Sequence, residues 1–267
     1  MTDISKKLDI AIKASIEAGK VIMEVYDNVD FGTRQKDDQS PLTDADLAAN
    51  EVIISFLIGT ELPIISEENK NKDFAERRKW EYCWIVDPLD GTKEFIKRNG
   101  EFTVNIALCK NGIPVLGVIY VPASREMFYA SVEDGAAYKS KLDAHHNLTG
   151  KLFDSKDLIN PTKSDKKKLR VVGSRSHMNQ DTLDFISNKE KLYEEVEIVS
   201  KGSSLKFCLV AEGKADIYPR FAPTMEWDTA AGHAICKAVG LKITAKDTGE
   251  NLSYNKENLL NPYFEVS

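Results

Sequence analysis

The stretch that decides the fold of this 267-residue chain is Asp87-Pro88-Leu89-Asp90-Gly91-Thr92, which directly follows the apolar residues 82–86. The apolar run predicts a buried strand, and the polar residues after it predict a turn at the end of that strand. Two carboxylates three residues apart at a strand end can converge on one point. Gly91 permits a tight turn, in which the N–H groups of Gly91 and Thr92 can form an anion-binding nest. The motif can therefore hold cations and phosphate together, although the same residue types also occur in ordinary Asp-rich turns.

Acidic residues stand at comparable places elsewhere in the chain. Glu67 and Glu68 follow a second predicted strand at residues 62–65, and Asp228 opens a predicted helix in Glu226-Trp227-Asp228-Thr229-Ala230-Ala231-Gly232. A single acid in a first helical turn commonly does no more than complement the helix dipole. Several acids at one sheet edge instead predict a metal site. Carboxylate oxygens suit Mg²⁺, Mn²⁺ or Ca²⁺, and the scarcity of candidate His and Cys ligands argues against zinc.

The first half of the chain predicts two helices followed by an antiparallel block. Residues 4–23 carry apolar and small side chains at helical spacing, which predicts a long amphipathic helix packed on a sheet. Residues 32–41 are polar and predict a loop, and residues 44–57 predict a second helix. Asn111-Gly112 and Asp134-Gly135 are hairpin signals. The strands around these two turns are predicted at residues 102–108, 113–121, 127–130 and 136–138.

The second half alternates strands and helices after a polar loop at residues 143–168. Such alternation is typical of α/β units with parallel pairing. We therefore expect an N-terminal α+β half over residues 1–150, with the antiparallel sheet and most of the acids, and a C-terminal α/β half over residues 151–267, with Asp228. The predicted strands and helices of the second half lie, in order, at residues 169–172, 180–187, 196–199, 204–211, 215–218 and 229–239.

Composition places the chain among ordinary globular proteins, with 42% hydrophobic and 29% charged residues. The formal net charge of −6 argues against a protein that binds nucleic-acid polymers. No apolar run approaches the roughly 20 residues of a membrane span, and the start lacks the apolar core of a signal peptide. We expect a cytoplasmic protein without a transmembrane segment. Peripheral contact with the cytoplasmic face of the membrane and a homodimeric state are left open.

Two motifs, Asp87-Pro88-Leu89-Asp90-Gly91-Thr92 and Trp227-Asp228-Thr229-Ala230-Ala231-Gly232, resemble in order and separation the paired motifs of the inositol monophosphatase superfamily of lithium-sensitive, magnesium-dependent phosphatases. Within it, Asp90-Gly91-Thr92-Lys93-Glu94-Phe95 and Gly202-Ser203-Ser204-Leu205-Lys206-Phe207-Cys208 resemble the CysQ-type 3′(2′),5′-bisphosphate nucleotidases. The resemblance extends over residues 10–241. It implies an α/β (α+β layered) fold, the alternating α-β-α-β-α sandwich of the inositol monophosphatase and sugar phosphatase type.

The resemblance also implies a metal site for two or three Mg²⁺ ions. Its ligands would be Glu67, Asp87, Asp90, Asp228 and the carbonyl group of Leu89. Asp46, Thr92 and Glu67 would be the catalytic residues, and Asp46 with the Thr92 hydroxyl would orient the attacking water. Asp46 also satisfies the capping-box pattern Thr43-x-x-Asp46, in which an acid closes a helix N terminus, with Thr43 as the N-cap. The two roles of Asp46 are compatible.

Substrate recognition is expected to involve residues beyond the metal ligands. Ser203 and Lys206 lie one turn apart on the predicted helix that starts near Gly202, and they could face a second phosphate or a sugar. Arg220 adds a planar fork suited to phosphate, and His177 could line the base or the ribose. Each could equally be a solvated surface residue. The full set that the resemblance implies for substrate contact is Leu89, Asp90, Gly91, Thr92, His177, Ser203, Lys206, Arg220 and Asp228.

The reaction implied by the resemblance is hydrolysis of 3′(2′)-phosphoadenosine 5′-phosphate to AMP and phosphate, by attack of a metal-activated water without a covalent enzyme intermediate. It would serve sulfur assimilation and nucleotide recycling. An inositol monophosphatase or a sugar bisphosphatase with the same metal core is the enzymatic alternative. A non-catalytic Mg²⁺ or phosphate sensor on the same fold is the alternative from another class. Such a sensor would lack a metal ligand or Thr92, and this chain has all of them.

Overall fold

The computed structural model describes residues 3–28, 33–35, 41–162, 167–173 and 178–267. The helices are α1 (Asp3–Asp27), α2 (Asp44–Leu57), α3 (Phe74–Arg77), α4 (Thr92–Ile96), α5 (Gln180–Glu190), α6 (Leu205–Ala211) and α7 (Glu226–Ala238). The strands are β1 (Thr33–Gln35), β2 (Pro41–Thr43), β3 (Ile64–Ser66), β4 (Tyr82–Asp90), β5 (Thr103–Lys110), β6 (Ile113–Val121), β7 (Glu126–Ser131), β8 (Ala136–Lys141), β9 (Leu158–Ile159), β10 (Lys168–Gly173), β11 (Glu195–Ser200), β12 (Tyr218–Arg220), β13 (Ile243–Ala245) and β14 (Phe264–Val266). Short 3₁₀ turns lie at Ile58–Thr60 and Ser155–Asp157.

Seven strands form the main sheet, in the order β3-β4-β5-β6-β7-β8-β9. β3 and β4 run parallel, and the pairs that follow them are antiparallel. The hairpin between β5 and β6 turns at Asn111 and Gly112, whose φ angles of 49° and 74° are both positive. Asn and Gly tolerate this backbone conformation best, which makes the dipeptide a strong hairpin signal. Both predicted hairpins, at Asn111-Gly112 and at Asp134-Gly135, are confirmed.

Helices cover both faces of the main sheet, because side chains alternate between the two faces along each strand. Trp84 and Val86 of β4 belong to a buried cluster that includes the apolar faces of α1 and α2. Cys83 and Ile85, which alternate with them, belong to a second cluster with α6, α7 and the C-terminal strands. The predicted packing of the first helix is confirmed, since α1 packs on β6 and against α2.

Two smaller sheets form the next layer. β10 and β11 pair in parallel, as predicted, whereas β12, β14 and β13 form an antiparallel sheet. An isolated bridge from Val171 to Ile217 joins β10 to the segment before β12. A third apolar cluster, which includes Leu169 and Ile186, packs α5 against this layer. The order of layers is therefore α1 and α2, main sheet, α6 and α7, smaller sheets, and α5, which confirms the predicted α-β-α-β-α sandwich.

Helix α7 lies close to the main sheet at Gly117 of β6. A Cβ atom at Gly117 would lie 2.5 Å from the carbonyl oxygen of Ala231 and 2.9 Å from the Cβ of Ala234. A side chain at Gly117 would push the helix away from the sheet. The small residues that follow Asp228 in the sequence therefore permit a close contact, and this contact brings the start of α7 to the ends of β3 and β4.

Some predicted elements differ from the structure. The strand predicted at residues 215–218 has the wrong bounds, because β12 spans Tyr218–Arg220 and pairs antiparallel with β14, and Ile217 makes only an isolated parallel bridge to Val171 of β10. The predicted loop at residues 32–41 includes β1, which pairs with β2. β13 and β14 are missing from the prediction. These strands span three residues each, so alternation of apolar residues is too short to mark them, and their partners are distant in sequence.

The two predicted halves share their apolar packing. One cluster runs from Ile65 in the first half to Val266 near the C terminus, and β9 adds residues 158–159 to the main sheet. The division into residues 1–150 and 151–267 remains a proposal. Within the ranges that the structure describes, no helix is both long and apolar enough to cross a bilayer.

Candidate active site

Three predicted metal ligands converge where β3, β4 and α7 meet. Glu67 follows β3, Asp87 lies within β4, and Asp228 lies in the first turn of α7. One side-chain oxygen of each residue lies within 4.8 Å of those of the other two. Because β3 and β4 run parallel, their carboxyl ends reach the same edge of the sheet. We call Glu67, Asp87 and Asp228 the acid cluster.

The motif after the apolar run has the tight geometry that its residues favour. β4 extends through Asp90, and its pairing with β5 is irregular between Asp87 and Asp90. The Leu89 N–H donates to Asp87 Oδ1 at 3.0 Å, which folds the chain back on the carboxylate. Gly91 has a φ of 94°, which glycine adopts without strain, and it is the N-cap of α4. The N–H groups of this first turn have no helical carbonyl to bind, as the predicted anion nest requires.

Repulsion within the acid cluster indicates a cation site. Burial raises the pKa of Asp87 well above its ordinary value, and nearby carboxylates, Glu67 first, raise it further. Burial and then the charge of Asp90 raise the pKa of Asp228 to about 8. Carboxylates held this close are stabilised by protons or by bound cations. Oxygen ligands of this kind fit a hard divalent cation such as Mg²⁺. The number of ions and the use of the Leu89 carbonyl remain predictions.

Asp46 lies where both of its predicted roles are possible. It is the third residue of α2, is buried, and accepts a hydrogen bond from the N–H of the N-cap Thr43 at 2.7 Å. Thr92 Oγ1 donates to the other oxygen, Asp46 Oδ1, at 3.3 Å. One carboxylate oxygen thus closes the helix start, and the other meets the Thr92 hydroxyl. The structure brings Asp46 and Thr92 together, and their catalytic role stays a prediction.

Asp228 is held in the same way as Asp46. It is also the third residue of its helix, and its Oδ2 accepts a hydrogen bond from the N–H of Met225, the N-cap of α7, at 2.8 Å. The backbone at the helix start therefore fixes one carboxylate oxygen of Asp228. Both acids lie in the first turn of a helix, where an acid is often only a cap. In both cases the acid caps the helix and also lies in the site.

The segment before α6 holds Asp90. Ser203 has a φ of 52° and precedes the helix, so the prediction that Ser203 lies on a helix from about residue 202 is wrong. Ser203 Oγ and the Ser204 N–H donate to Asp90 Oδ2, at 2.6 and 2.7 Å, and these bonds hold the segment out of helical geometry. Thr103 and Asn105 of β5 join the same network. Ser204, Thr103 and Asn105 were not predicted as site residues, and the available signal for Thr103 and Asn105 was that both are polar residues inside the apolar strand β5.

A cleft of about 230 Å³ adjoins the acid cluster and carries two cationic side chains. Lys206 and Arg220 line it together with Asp90 and Asp228. Burial, followed by the charge of Arg220, lowers the pKa of Lys206. Arg220 Nε is buried and has no hydrogen-bond partner in the described part of the chain. Two cations that repel each other, one of them with an unused buried donor, indicate a place for an anion.

A second cavity of about 460 Å³ opens beside this cleft and shares Lys206, Tyr218 and Arg220 with it. Glu94 and Tyr218 also line the first cleft, and neither was predicted as a site residue. Glu94 belongs to Lys93-Glu94-Phe95, which is part of the motif that resembles the nucleotidases. That motif could have predicted Glu94 as a site residue. His177 lies outside the described residues, and its predicted place at the base or ribose is untested.

Known proteins resemble this chain over nearly its whole length. Residues 3–263 match the model of the inositol monophosphatase family. The 3′(2′),5′-bisphosphate nucleotidase CysQ of Salmonella typhimurium is 44% identical over 254 residues, which cover 94% of this chain and 95% of that protein. The structure of CysQ from Bacteroides thetaiotaomicron aligns with a TM-score of 0.84 at 46% identity and covers 98% of this chain and 97% of its own. The IMPase of Thermotoga maritima aligns with a TM-score of 0.72 at 25% identity, with 98% and 92% covered.

Proposed function

The chain belongs to the inositol monophosphatase family, and we propose that within it the protein is a Mg²⁺-dependent 3′(2′),5′-bisphosphate nucleotidase. It would hydrolyse 3′(2′)-phosphoadenosine 5′-phosphate to AMP and phosphate. Similarity to proteins named CysQ, at 44% and 46% identity over nearly the full chain, supports this assignment. The structural observation that carries it is the presence of Lys206 and Arg220 in one cleft with Asp90 and Asp228.

A bisphosphorylated substrate needs two different anion sites, and the cleft offers both. The phosphate to be hydrolysed requires the acidic end, where cations accompany it. The second phosphate requires fixed positive charge, which Lys206 and Arg220 supply. The neighbouring cavity, which Tyr218 also lines, has room for a ribose and a base. A substrate with one phosphate would leave the buried Arg220 Nε without an acceptor and would place no anion beside Lys206 and Arg220.

The metal ligands in this proposal are Glu67, Asp87, Asp90, Asp228 and the carbonyl group of Leu89. Two or three Mg²⁺ ions bound there would offset the charge of the phosphate and make water more acidic. Thr92 Oγ1 donates its proton to Asp46 Oδ1, so its lone pairs can accept a hydrogen bond from the attacking water. That bond would direct the water oxygen towards the phosphorus, and the Asp46 charge would stabilise the proton as it leaves. The N–H groups of Gly91 and Thr92 would hold the phosphate oxygens.

Further properties are proposed on the same family resemblance. We propose inhibition by lithium, a cytoplasmic location, and a role in sulfur assimilation and nucleotide recycling. A homodimer is possible, and light scattering would measure the oligomeric state. Preference between the 2′ and 3′ phosphates depends on side chains of the cleft and is to be measured with both isomers.

A phosphate-release screen tests the proposal. The purified protein is assayed with Mg²⁺ on 3′-phosphoadenosine 5′-phosphate, inositol 1-phosphate and fructose 1,6-bisphosphate, and the nucleotide is expected to give the highest kcat/KM. Asp90→Asn, which removes a ligand charge with little change in volume, is the inactive control. A preference for either sugar phosphate would reassign the protein within its family. Full activity in excess EDTA would contradict metal dependence, and Mg²⁺ binding without any turnover would favour the sensor.

A further inference from the structure

Asn105 is a buried polar residue inside an apolar strand. It lies in β5 between Val104 and Ile106, and 1% of its surface is exposed. Its register partners are Asp87 on β4 and Ile119 on β6, so it stands directly across the sheet from a buried acid. Burying an amide group costs free energy unless its donors and its acceptor form hydrogen bonds. The contacts of Asn105 therefore indicate why an amide occupies this position.

The amide of Asn105 bonds to the residues around Asp90. Asn105 Nδ2 donates to Ser204 Oγ at 2.8 Å and lies 3.4 Å from Asp90 Oδ2, to which it also donates. Asn105 Oδ1 accepts a hydrogen bond from Thr103 Oγ1 at 3.0 Å. The orientation of the amide is consistent with charge, because its N–H groups and not its oxygen face the carboxylate.

Every hydrogen bond that the described residues make to the Asp90 carboxylate ends on one oxygen. Asp90 Oδ2 accepts from Ser203 Oγ at 2.6 Å, from the Ser204 N–H at 2.7 Å and from Ser204 Oγ at 2.6 Å, besides Asn105. Bonds from four donors to Oδ2 fix the rotation of the carboxylate. Oδ1 is consequently the oxygen that remains for a ligand in the cleft, which Asp90 lines.

Ser204 depends on Asn105 for its orientation. Ser204 Oγ lies 2.6 Å from Asp90 Oδ2 and 2.8 Å from the carbonyl oxygen of Asp228, and the hydroxyl has one proton for these two acceptors. The N–H of Asn105 occupies a lone pair of Ser204 Oγ and turns the proton towards Asp90 and Asp228. An apolar side chain at residue 105 would leave the hydroxyl free to rotate and would remove one donor from Asp90.

We propose that Asn105 is a positioning residue, which acts with Ser204 to present Asp90 Oδ1 to the metal ion. The inference rests on the proposed function only in taking Asp90 as a metal ligand. Partners that orient a metal-binding carboxylate change metal affinity when removed, typically by 10- to 100-fold. A residue that served packing alone would change stability and leave metal affinity as it was.

The test is a Mg²⁺ titration of Asn105→Leu, a change of similar volume that removes both the donor and the acceptor. Mg²⁺ binding to the substrate-free protein is followed by the rise in melting temperature, and the Mg²⁺ dependence of phosphate release is measured in parallel. We expect the Mg²⁺ midpoint to rise about tenfold in both measurements. Asn105→Ala adds no bulk and should raise the Mg²⁺ midpoint in the same way. This second variant keeps the test valid if leucine does not fit at residue 105. An unchanged midpoint with a lowered melting temperature would overturn the proposal.

Two further variants sharpen the test. Ser204→Ala should raise the Mg²⁺ midpoint as well, and the double variant should add little to the larger single effect, because both residues act through Asp90. Ser140→Ala is the matched control: it removes a buried hydroxyl that donates to Asp157 at 3.0 Å, on β8, three strands away from β5. It should leave the midpoint unchanged. Failure of the wild-type protein to hydrolyse the nucleotide would refute the proposed function, whereas the titration without substrate would still decide the role of Asn105.

Discussion

Asp228→Asn is expected to stabilise the metal-free protein while abolishing phosphate release. The carboxylate is held among other acids, so burial and the charge of Asp90 raise its pKa from 3.8 to about 8. Asparagine has nearly the same shape, and its side-chain oxygen can accept the same hydrogen bond from the Met225 N–H. The substitution therefore removes the repulsion and leaves the start of α7 in place.

The size of this stabilisation follows from the pKa of Asp228 in the folded metal-free protein. The folded state binds the Asp228 proton more tightly than the unfolded chain does, so the contribution of Asp228 to the free energy of unfolding falls as the pH rises from about 4 to about 8. At about 1.4 kcal/mol for each pH unit, the loss above pH 8 is at most about 6 kcal/mol. Water that enters the site and protonation of the neighbouring acids both relieve part of this repulsion. We therefore expect Asp228→Asn to raise the free energy of unfolding by about 2–4 kcal/mol at pH 8.

Calorimetry in excess EDTA measures this effect. About 2–4 kcal/mol corresponds to a rise in melting temperature of about 5–15 °C for a chain of this size. At pH 5 the difference between variant and wild type should be small, because Asp228 is then protonated in the folded wild type. Added Mg²⁺ should raise the melting temperature of the wild type more than that of the variant.

The matched control is Asp181→Asn, which changes an exposed acid in the first turn of α5 that pairs with Lys246. It should leave the melting temperature nearly unchanged at both pH values. The reasoning is refuted if Asp228→Asn lowers the melting temperature in EDTA at pH 8, since the carboxylate would then contribute to folding and would not be under repulsion.

Thr92→Ala and Asp46→Asn should each lower kcat strongly, and the double variant should lose little more if the two residues act as a unit. If Asp46→Asn instead leaves turnover nearly normal and lowers the free energy of unfolding by about 1 kcal/mol, Asp46 serves only to cap α2. Lys206→Ala should lower kcat/KM for the bisphosphorylated nucleotide by a factor equivalent to about 1.5–3 kcal/mol, and it should barely change kcat/KM for inositol 1-phosphate. Equal losses on both substrates would count against a site for the second phosphate. Burial lowers the pKa of His233 to about 3 from 6.5, so the contribution of His233 to the free energy of unfolding should fall as the pH drops below about 6.5. His233→Gln should flatten that acid limb in urea titrations, and an unchanged limb would show that other groups cause it.

Elements marked by a few neighbouring residues were predictable from the sequence. Thr43 and the residues after it predicted α2 with the bounds that it has, Asp44–Leu57. Asn111-Gly112 predicted the β5–β6 hairpin, and the apolar run before Asp87 predicted β4. Caps, two-residue turns and strand ends are set by interactions within a few residues, so a short window of sequence contains the physical cause. The convergence of acids at the sheet edge followed from the same local assignments.

Contacts between distant parts of the chain were decided by the tertiary structure. Ser203 Oγ reaches Asp90 across 113 residues, and Arg77 bonds to Asn255 across 178 residues. The antiparallel pairing of β12 with β14 and the position of Ser203 before α6 were mispredicted for this reason. The predictions that carboxylates of this protein bind metal ions and that its cationic side chains bind an anion therefore follow from residue types in the sequence. Which Asp90 oxygen faces the cleft depends on how α6 and α7 pack on the main sheet, because such contacts form only when long loops close and layers stack.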